Sequence, residues 1–144
     1  MRAKDFFRQV SRAEKELVLI RAKLDRYSAL GRAITGAGLD TPVVTHSLGE
    51  SRVESAAIGL YDAAKELEEK MQELLGIIRR AEAIIERIPQ ERYRQILTLR
   101  YIAGWTFRSI SDELRYQDEK SVYRAHGWAL SEAQKILSAQ EAGK

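Results

Sequence analysis

The sequence of 144 residues contains no cysteine, only two prolines and nine glycines, and no long apolar run. Without cysteine the chain has no disulfide framework, no thiolate metal site and no cysteine nucleophile. No apolar stretch approaches the roughly 20 residues that span a bilayer, and the opening stretch MRAKDFFRQV lacks the apolar core of a signal peptide. These absences predict a cytoplasmic protein without a membrane partner.

The scarcity of helix breakers, together with abundant Ala, Leu, Glu, Arg and Lys, predicts helix nearly throughout. The net charge of +3 is unevenly distributed. Residues 1–35 carry nine Lys or Arg against four Asp or Glu, whereas residues 51–87 carry six against eight. A basic first segment and an acidic second segment suit two helices that pair with each other.

Two long segments repeat apolar or small residues in alternating steps of four and three, the spacing of a coiled coil. The first run is Phe6, Val10, Ala13, Leu17, Ile20, Leu24, Tyr27, Gly31 and Ile34. The second run is Val53, Ala57, Leu60, Ala64, Leu67, Met71, Leu74, Ile78, Ala81, Ile85 and Ile88. Between them, residues 35–50 hold three glycines and a proline and predict a loop, with Ser47 or Ser51 capping the second helix. Residues 1–88 are therefore predicted to form an antiparallel coiled-coil hairpin.

The two arms carry more apolar residues than a two-stranded seam needs. The surplus consists of Phe7, Val18, Leu19, Ile58, Leu75, Ile77 and Ile84. These side chains either dock on the C-terminal helices or form a self-association surface. The length of the arms favours self-association, and we expect a homo-oligomer held by the hairpin.

Residues 89–144 predict a three-helix helix-turn-helix bundle, so that the fold class is all-α. A helix over about 90–103 has Ile96, Leu97, Leu99 and Ile102 on its apolar face, and Gly104 supplies the left-handed turn after it. Thr106 is an N-cap for a second helix, with Ile110 and Leu114 inside. Asp118 caps a third helix, whose inward residues are predicted to be Val122, Ala125, Ala129, Ala133 and Ile136.

With those positions inside, the third helix exposes Glu119, Lys120, Ser121, Tyr123 and Arg124. Glutamate can accept a hydrogen bond from cytosine, and lysine and arginine can donate to guanine, in the major groove of DNA. Arg108, in the first turn of the preceding helix, is placed for a phosphate. The alternative interpretation is a solvated polar face that binds nothing.

The C-terminal segment resembles region four of the sigma-70 family of bacterial sigma factors. The matching residues are Ile88-Pro89, Leu99-Arg100-Tyr101, Thr106, Ile110, Leu114, Val122 and Ala129-Leu130. The whole chain is also similar to a family of small phage and prophage proteins with an N-terminal helical pair and a sigma-like C-terminal region. Its matching residues are Ile34-Thr35-Gly36 and His126-Gly127-Trp128-Ala129-Leu130.

These resemblances imply a regulator of phage or prophage transcription in a bacterial host. Thr106 and Arg108 would contact the DNA backbone, and Glu119, Lys120, Tyr123 and Arg124 would face base edges. Sigma proteins usually have glycine in the turn and serine at the cap of the recognition helix. This chain has Arg115 and Gln117 in those places, which shifts the expected helix start to Asp118.

We therefore expect a sequence-specific binder of double-stranded DNA that regulates transcription, with RNA polymerase as a further partner. Two alternatives stay open: a DNA-packaging oligomer of the small-terminase kind, and a docking module for RNA polymerase that binds no DNA. His46 and His126 are the only histidines and have no cysteine or clustered carboxylates nearby, whereas a metal site needs three or four ligands, so we expect no metal site. No catalytic arrangement can be assembled, so we expect neither enzyme activity nor a cofactor.

Overall fold

The computed structural model of the chain describes residues 1–35 and 47–143, and within these ranges the only regular structure is helical. The helices are α1 (Ala3–Thr35), α2 (Ser47–Glu86), α3 (Glu91–Leu97), α4 (Phe107–Glu113) and α5 (Glu119–Ala142). A π-helical turn, Thr98–Ile102, continues α3 without a break. The all-α prediction is confirmed. Of the predicted loop, residues 36–46, with His46, lie outside the described residues, and so do the side chains of Ser47 and Ser51.

Contacts within the chain divide it into two compact units. The first unit contains Met1–Lys15 and Leu74–Lys144, and the second contains Glu16–Glu73. The sequence predicted a division at residue 88, between hairpin and bundle. The division between the two compact units passes through both long helices, because the start of α1 and the end of α2 bury their apolar residues in the same unit as the C-terminal helices. The predicted boundary at residue 88 stays a prediction.

The core of the first unit draws on all of its helices. Its largest fully buried side chains are Phe6, Phe7, Val10, Ile84, Ile88, Ile96, Leu97, Ile110, Val122 and Leu137. Phe7 packs against Tyr101, with ring centroids 5.2 Å apart, as expected of a side chain that docks on the C-terminal segment. Docking does not extend to Val18, Leu19 or Ile58, which are 68%, 62% and 54% exposed in the second unit.

The second unit contains a groove of about 580 Å³ between α1 and α2. Leu24, Tyr27 and Gly31 line it from α1, and Leu60 and Ala64 are among the residues that line it from α2. All five belong to the predicted apolar runs. They are only partly buried, in contrast to the fully buried residues of the same runs in the first unit.

Within the first unit, α3, α4 and α5 surround a small apolar cluster of Ile96, Ile110, Val122 and Ala125. The buried stripe of α5 continues through Ala129, Ala133 and Leu137. The sequence prediction placed Ile136 inside in place of Leu137 and was wrong at this position, since Ile136 is only partly buried. After Ala125 the buried positions advance in steps of four, so the stripe reaches Leu137 and leaves Ile136 at its edge.

Candidate nucleic-acid interface

A tight turn joins α4 to α5 and sets the start of α5. The backbone N–H of Tyr116 donates to the carbonyl of Ser111 at 2.9 Å, and the N–H of Arg115 donates to that of Asp112 at 3.4 Å. This is the Schellman hydrogen-bond pattern, in which the residue after the C-cap adopts the left-handed conformation. Arg115 has a φ of 57°, in the left-handed region that glycine adopts more readily than a residue with a Cβ.

Arg92 of α3 holds this turn from the other side. Its Nη2 donates to the carbonyl of Leu114 at 3.2 Å, and its guanidinium lies 4.6 Å from the ring centroid of Tyr116. The carbonyl of Leu114 belongs to the last turn of α4, where helical partners run out. The connection between α4 and α5 is therefore fixed to α3 by one side chain.

Asp118 is the N-cap of α5, as the sequence predicted. Its Oδ1 accepts from the backbone N–H of Ser121 at 2.8 Å and from the Ser121 hydroxyl at 2.9 Å. These two hydrogen bonds, assisted by the positive charges of Lys120 and Arg124, lower the pKa of the Asp118 carboxyl. The hydroxyl of Ser121 thus completes the cap, and its side chain is only partly exposed.

The other four predicted base-facing residues are exposed: Glu119, Lys120, Tyr123 and Arg124. Positions i, i+1, i+4 and i+5 of a helix share one face, so the first two turns of α5 present all four together. We call these four residues the α5 face. Tyr123 is 50% exposed, yet its ring centroid lies 4.6 Å from that of Phe107 in α4, which fixes its direction.

The two predicted backbone-contacting residues lie at the start of α4. Thr106 is its N-cap, as predicted, and Oγ1 accepts from the backbone N–H of Ser109 at 3.1 Å. The same hydroxyl is within 2.9 Å of the Ser109 hydroxyl. Arg108 is exposed in the first turn of α4. Its guanidinium is thus accessible, whereas the Thr106 hydroxyl is partly used by the cap.

Aromatic rings link α1 to the α5 face. The ring of Tyr101 lies between Phe7 of α1 and His126 of α5, with centroid separations of 5.2 and 5.6 Å. His126 then packs edge-on against Phe107 at 5.0 Å, and Phe107 packs against Tyr123. The Tyr101 hydroxyl and Nε2 of His126 are 2.7 Å apart and share a hydrogen bond. This chain of rings ties the first turns of α1 to the helix that carries the α5 face.

Burial and neighbouring cations keep His126 neutral. Desolvation is the main cause that lowers the pKa of His126 to about 4, and the charges of Arg100 and Lys4 lower it further. Desolvation also raises the pKa of the Tyr101 hydroxyl, against the opposing effect of Arg100 and Arg8. Both partners of the hydrogen bond are therefore uncharged at neutral pH.

A basic groove of about 670 Å³ lies beside the α5 face, and sequence reasoning did not find it. We call it the α1 groove. It is lined by Lys4, Arg8, Ser11, Arg12 and Lys15 of α1, by Arg100, Tyr101 and Gly104, and by Phe107, Tyr123 and His126. The signal was present in the sequence as cations at steps of four, four and three along α1. The charge pattern instead suggested that the positive charge of residues 1–35 pairs with the acidic second helix.

In the described part of the chain, no three histidine or carboxylate side chains come together as metal ligands. The same residues include no helix with the length and apolar character needed to cross a membrane.

None of the protein-family models, curated proteins or solved structures compared with the chain matches it. Within the described residues, the fold is all-helical and presents a charged helix face beside a basic groove.

Proposed function

We propose that the protein binds double-stranded DNA sequence-specifically and regulates transcription. In this proposal residues 1–88 form an antiparallel helical hairpin, and α3, α4 and α5 form a helix-turn-helix bundle with α5 in the major groove. One observation carries the proposal: the α5 face projects four polar side chains from two turns whose opposite side is buried. In helix-turn-helix proteins it is the N-terminal part of the second helix that contacts base edges.

The side chains of the α5 face suit base readout. Lys120 and Arg124 can donate to O6 and N7 of guanine, and Glu119 can accept from the cytosine amino group. Packing against Phe107 limits the freedom of Tyr123, which lowers the entropic cost of ordering its ring against DNA. Arg108 and Thr106 flank this surface from α4, where a phosphate contact would position the protein without reading sequence.

The role in transcription rests on the resemblance to sigma region four and to the small phage and prophage proteins. Its structural support is the tight turn with a left-handed residue between α4 and α5. We propose RNA polymerase as a second partner on the same grounds.

The test is selection of bound duplexes from a random-sequence DNA pool. We expect the native protein to enrich a defined motif, and Lys120→Ala/Arg124→Ala to lose or relax it. The control Lys65→Ala/Lys135→Ala removes the same charge from exposed positions that are not part of the α5 face and should retain the motif. Absence of any enriched duplex at moderate salt would refute DNA reading and direct the search to docking on RNA polymerase.

We further propose that the protein forms a homo-oligomer through the second unit. Val18, Leu19, Ile58 and Tyr61 are each more than half exposed there, and exposed large apolar side chains on two long helices are candidates for contact with a second copy. Analytical ultracentrifugation of the native protein and of Leu19→Lys/Ile58→Lys tests this. A dimer that the variant weakens fits a regulator, a ring of eight or more subunits fits the DNA-packaging alternative, and a native monomer would refute association.

A further inference from the structure

The cations of the α1 groove form a line along one helix. Lys4, Arg8, Arg12 and Lys15 follow one another at helical spacing, and all four side chains are exposed. At a rise of 1.5 Å per residue the line is about 16 Å long. One strand of a duplex places a phosphate every 3.4 Å along its axis, so a line of this length can meet several phosphates. A single small anion could occupy only a fraction of it.

A fifth cation is held in a defined position on the other side of the groove. Arg100 donates from Nη1 to the carbonyl of Trp105 at 3.0 Å, and its guanidinium lies 4.1 Å from the ring centroid of Phe107. These two contacts fix a guanidinium that still has unused N–H donors. A pre-positioned donor loses little entropy when it binds an acceptor.

No acidic side chain occurs among the described residues that line the groove. Besides burial, which is the larger cause, Arg100 and Lys4 lower the pKa of His126. No lining carboxylate therefore balances the cations of the groove, and an anionic partner would relieve their mutual repulsion.

We propose that the α1 groove binds the sugar-phosphate backbone of the same duplex that the α5 face reads. This inference rests on the proposed function and adds a second contact region to it, in the long first helix. Tyr123 belongs to both surfaces, so a duplex on the α5 face reaches the mouth of the groove. The groove contributes affinity and salt dependence, whereas the α5 face contributes sequence preference.

The test measures binding of the selected duplex and of an unrelated duplex between 50 and 200 mM salt. The proteins are the native chain, Arg8→Ala/Arg12→Ala, and the control Arg21→Ala/Arg26→Ala, which removes the same charge from exposed positions of α1 outside the groove. Each lost phosphate contact lowers the slope of log affinity against log salt by about 0.9. For the groove variant we expect weaker binding of both duplexes and an unchanged motif. Because two contacts are lost, raising the salt from 50 to 200 mM should weaken binding by the groove variant about 12-fold less than it weakens binding by the native chain.

The outcomes separate this inference from the proposed function. A groove variant with native affinity and native salt slope on the selected duplex would overturn the groove and leave the α5 face intact. If the groove variant binds duplex DNA more weakly and the native protein enriches no motif, the groove is supported and sequence reading is refuted. An equal loss in Arg21→Ala/Arg26→Ala would overturn the assignment to the groove, since it would trace the effect to overall charge. Thermal unfolding of each variant, read by circular dichroism, excludes loss of fold as the cause.

Discussion

The turn between α4 and α5 contains a residue whose backbone conformation suits glycine better than arginine. Arg115 has a φ of 57° and an exposed side chain. Gly104, before α4, is the complementary case, with a φ of 77° and no atom within 4 Å of a Cβ built upon it. We therefore expect Arg115→Gly to stabilise the protein and Gly104→Ala to destabilise it, although neither substitution changes the buried core.

The magnitude follows from two opposing effects. An L-residue in the left-handed region costs about 1 to 2 kcal/mol, which Arg115→Gly removes and Gly104→Ala introduces. Glycine gives the unfolded chain more freedom, which offsets about 0.4 to 1 kcal/mol of either change. The net expectation is about 0.5 to 1 kcal/mol in the free energy of unfolding, positive for Arg115→Gly and negative for Gly104→Ala.

Urea and thermal unfolding followed by circular dichroism measure this difference. For a chain of this size each kcal/mol shifts Tm by about 2 to 4 °C. Gly76→Ala is the matched control, because Gly76 lies inside α2 with open space around a new Cβ, and alanine there should stabilise by about 0.5 to 1 kcal/mol. If Arg115→Gly lowers stability while Gly76→Ala raises it, strain at the turn is not the dominant effect and the argument fails.

Two further predictions concern the core and pH. Ile110 is 0% exposed, so Ile110→Ala should destabilise by about 2 to 5 kcal/mol, whereas Leu30→Ala, at a 39% exposed position outside the proposed association surface, should cost much less; urea unfolding of both compares them. His126 has its pKa lowered from 6.5 to about 4, so the unfolded chain binds the proton first as the pH falls. The stability that its neutral form contributes is present above pH 6.5 and is lost between pH 6.5 and about 4. This pKa shift corresponds to at most about 3.4 kcal/mol in the free energy of unfolding. Because the ring is partly exposed, solvent screening reduces the expected contribution to roughly 1 to 2 kcal/mol. His126→Gln, measured by urea unfolding from pH 8 to 4, should remove that part of the pH dependence; an unchanged profile would contradict the assignment.

Local signals in the sequence predicted the C-terminal helices well. Thr106 and Asp118 were predicted as caps, and each accepts a hydrogen bond from the backbone N–H three residues on. Gly104 was predicted in the left-handed conformation and adopts it. Such features depend on side chains within a few residues of one another, so the pattern alone contains the necessary information.

The sequence pattern could not show which neighbouring segment would cover the apolar residues beside the predicted seam. Phe7 and Val18 both lie beside the predicted seam, yet Phe7 is fully buried and Val18 is 68% exposed. Both side chains are apolar, and each directly follows a residue of the predicted seam. The difference arises because Phe7 lies in the first unit, where it meets Tyr101, whereas Val18 lies in the second.

The candidate site shows the same limit. Four of the five predicted exposed residues at the start of α5 are exposed, because Val122 and Ala125 identify the inner side of a single helix. Ser121 is the exception, since its hydroxyl bonds to Asp118. The α1 groove was not predictable, because Lys4 and Arg100 are far apart in sequence.

The sequence by itself determined the helical content, the caps of α4 and α5, and most of the side chains that α5 exposes. Each of these depends on helical periodicity or on hydrogen bonds between near neighbours. Only the tertiary structure decided where the chain divides into units, which surplus apolar residues are buried, and that the cations of α1 border the same groove as Tyr123. Those properties depend on packing between segments that are distant in the chain, and no local pattern specifies which distant segment a helix face will meet.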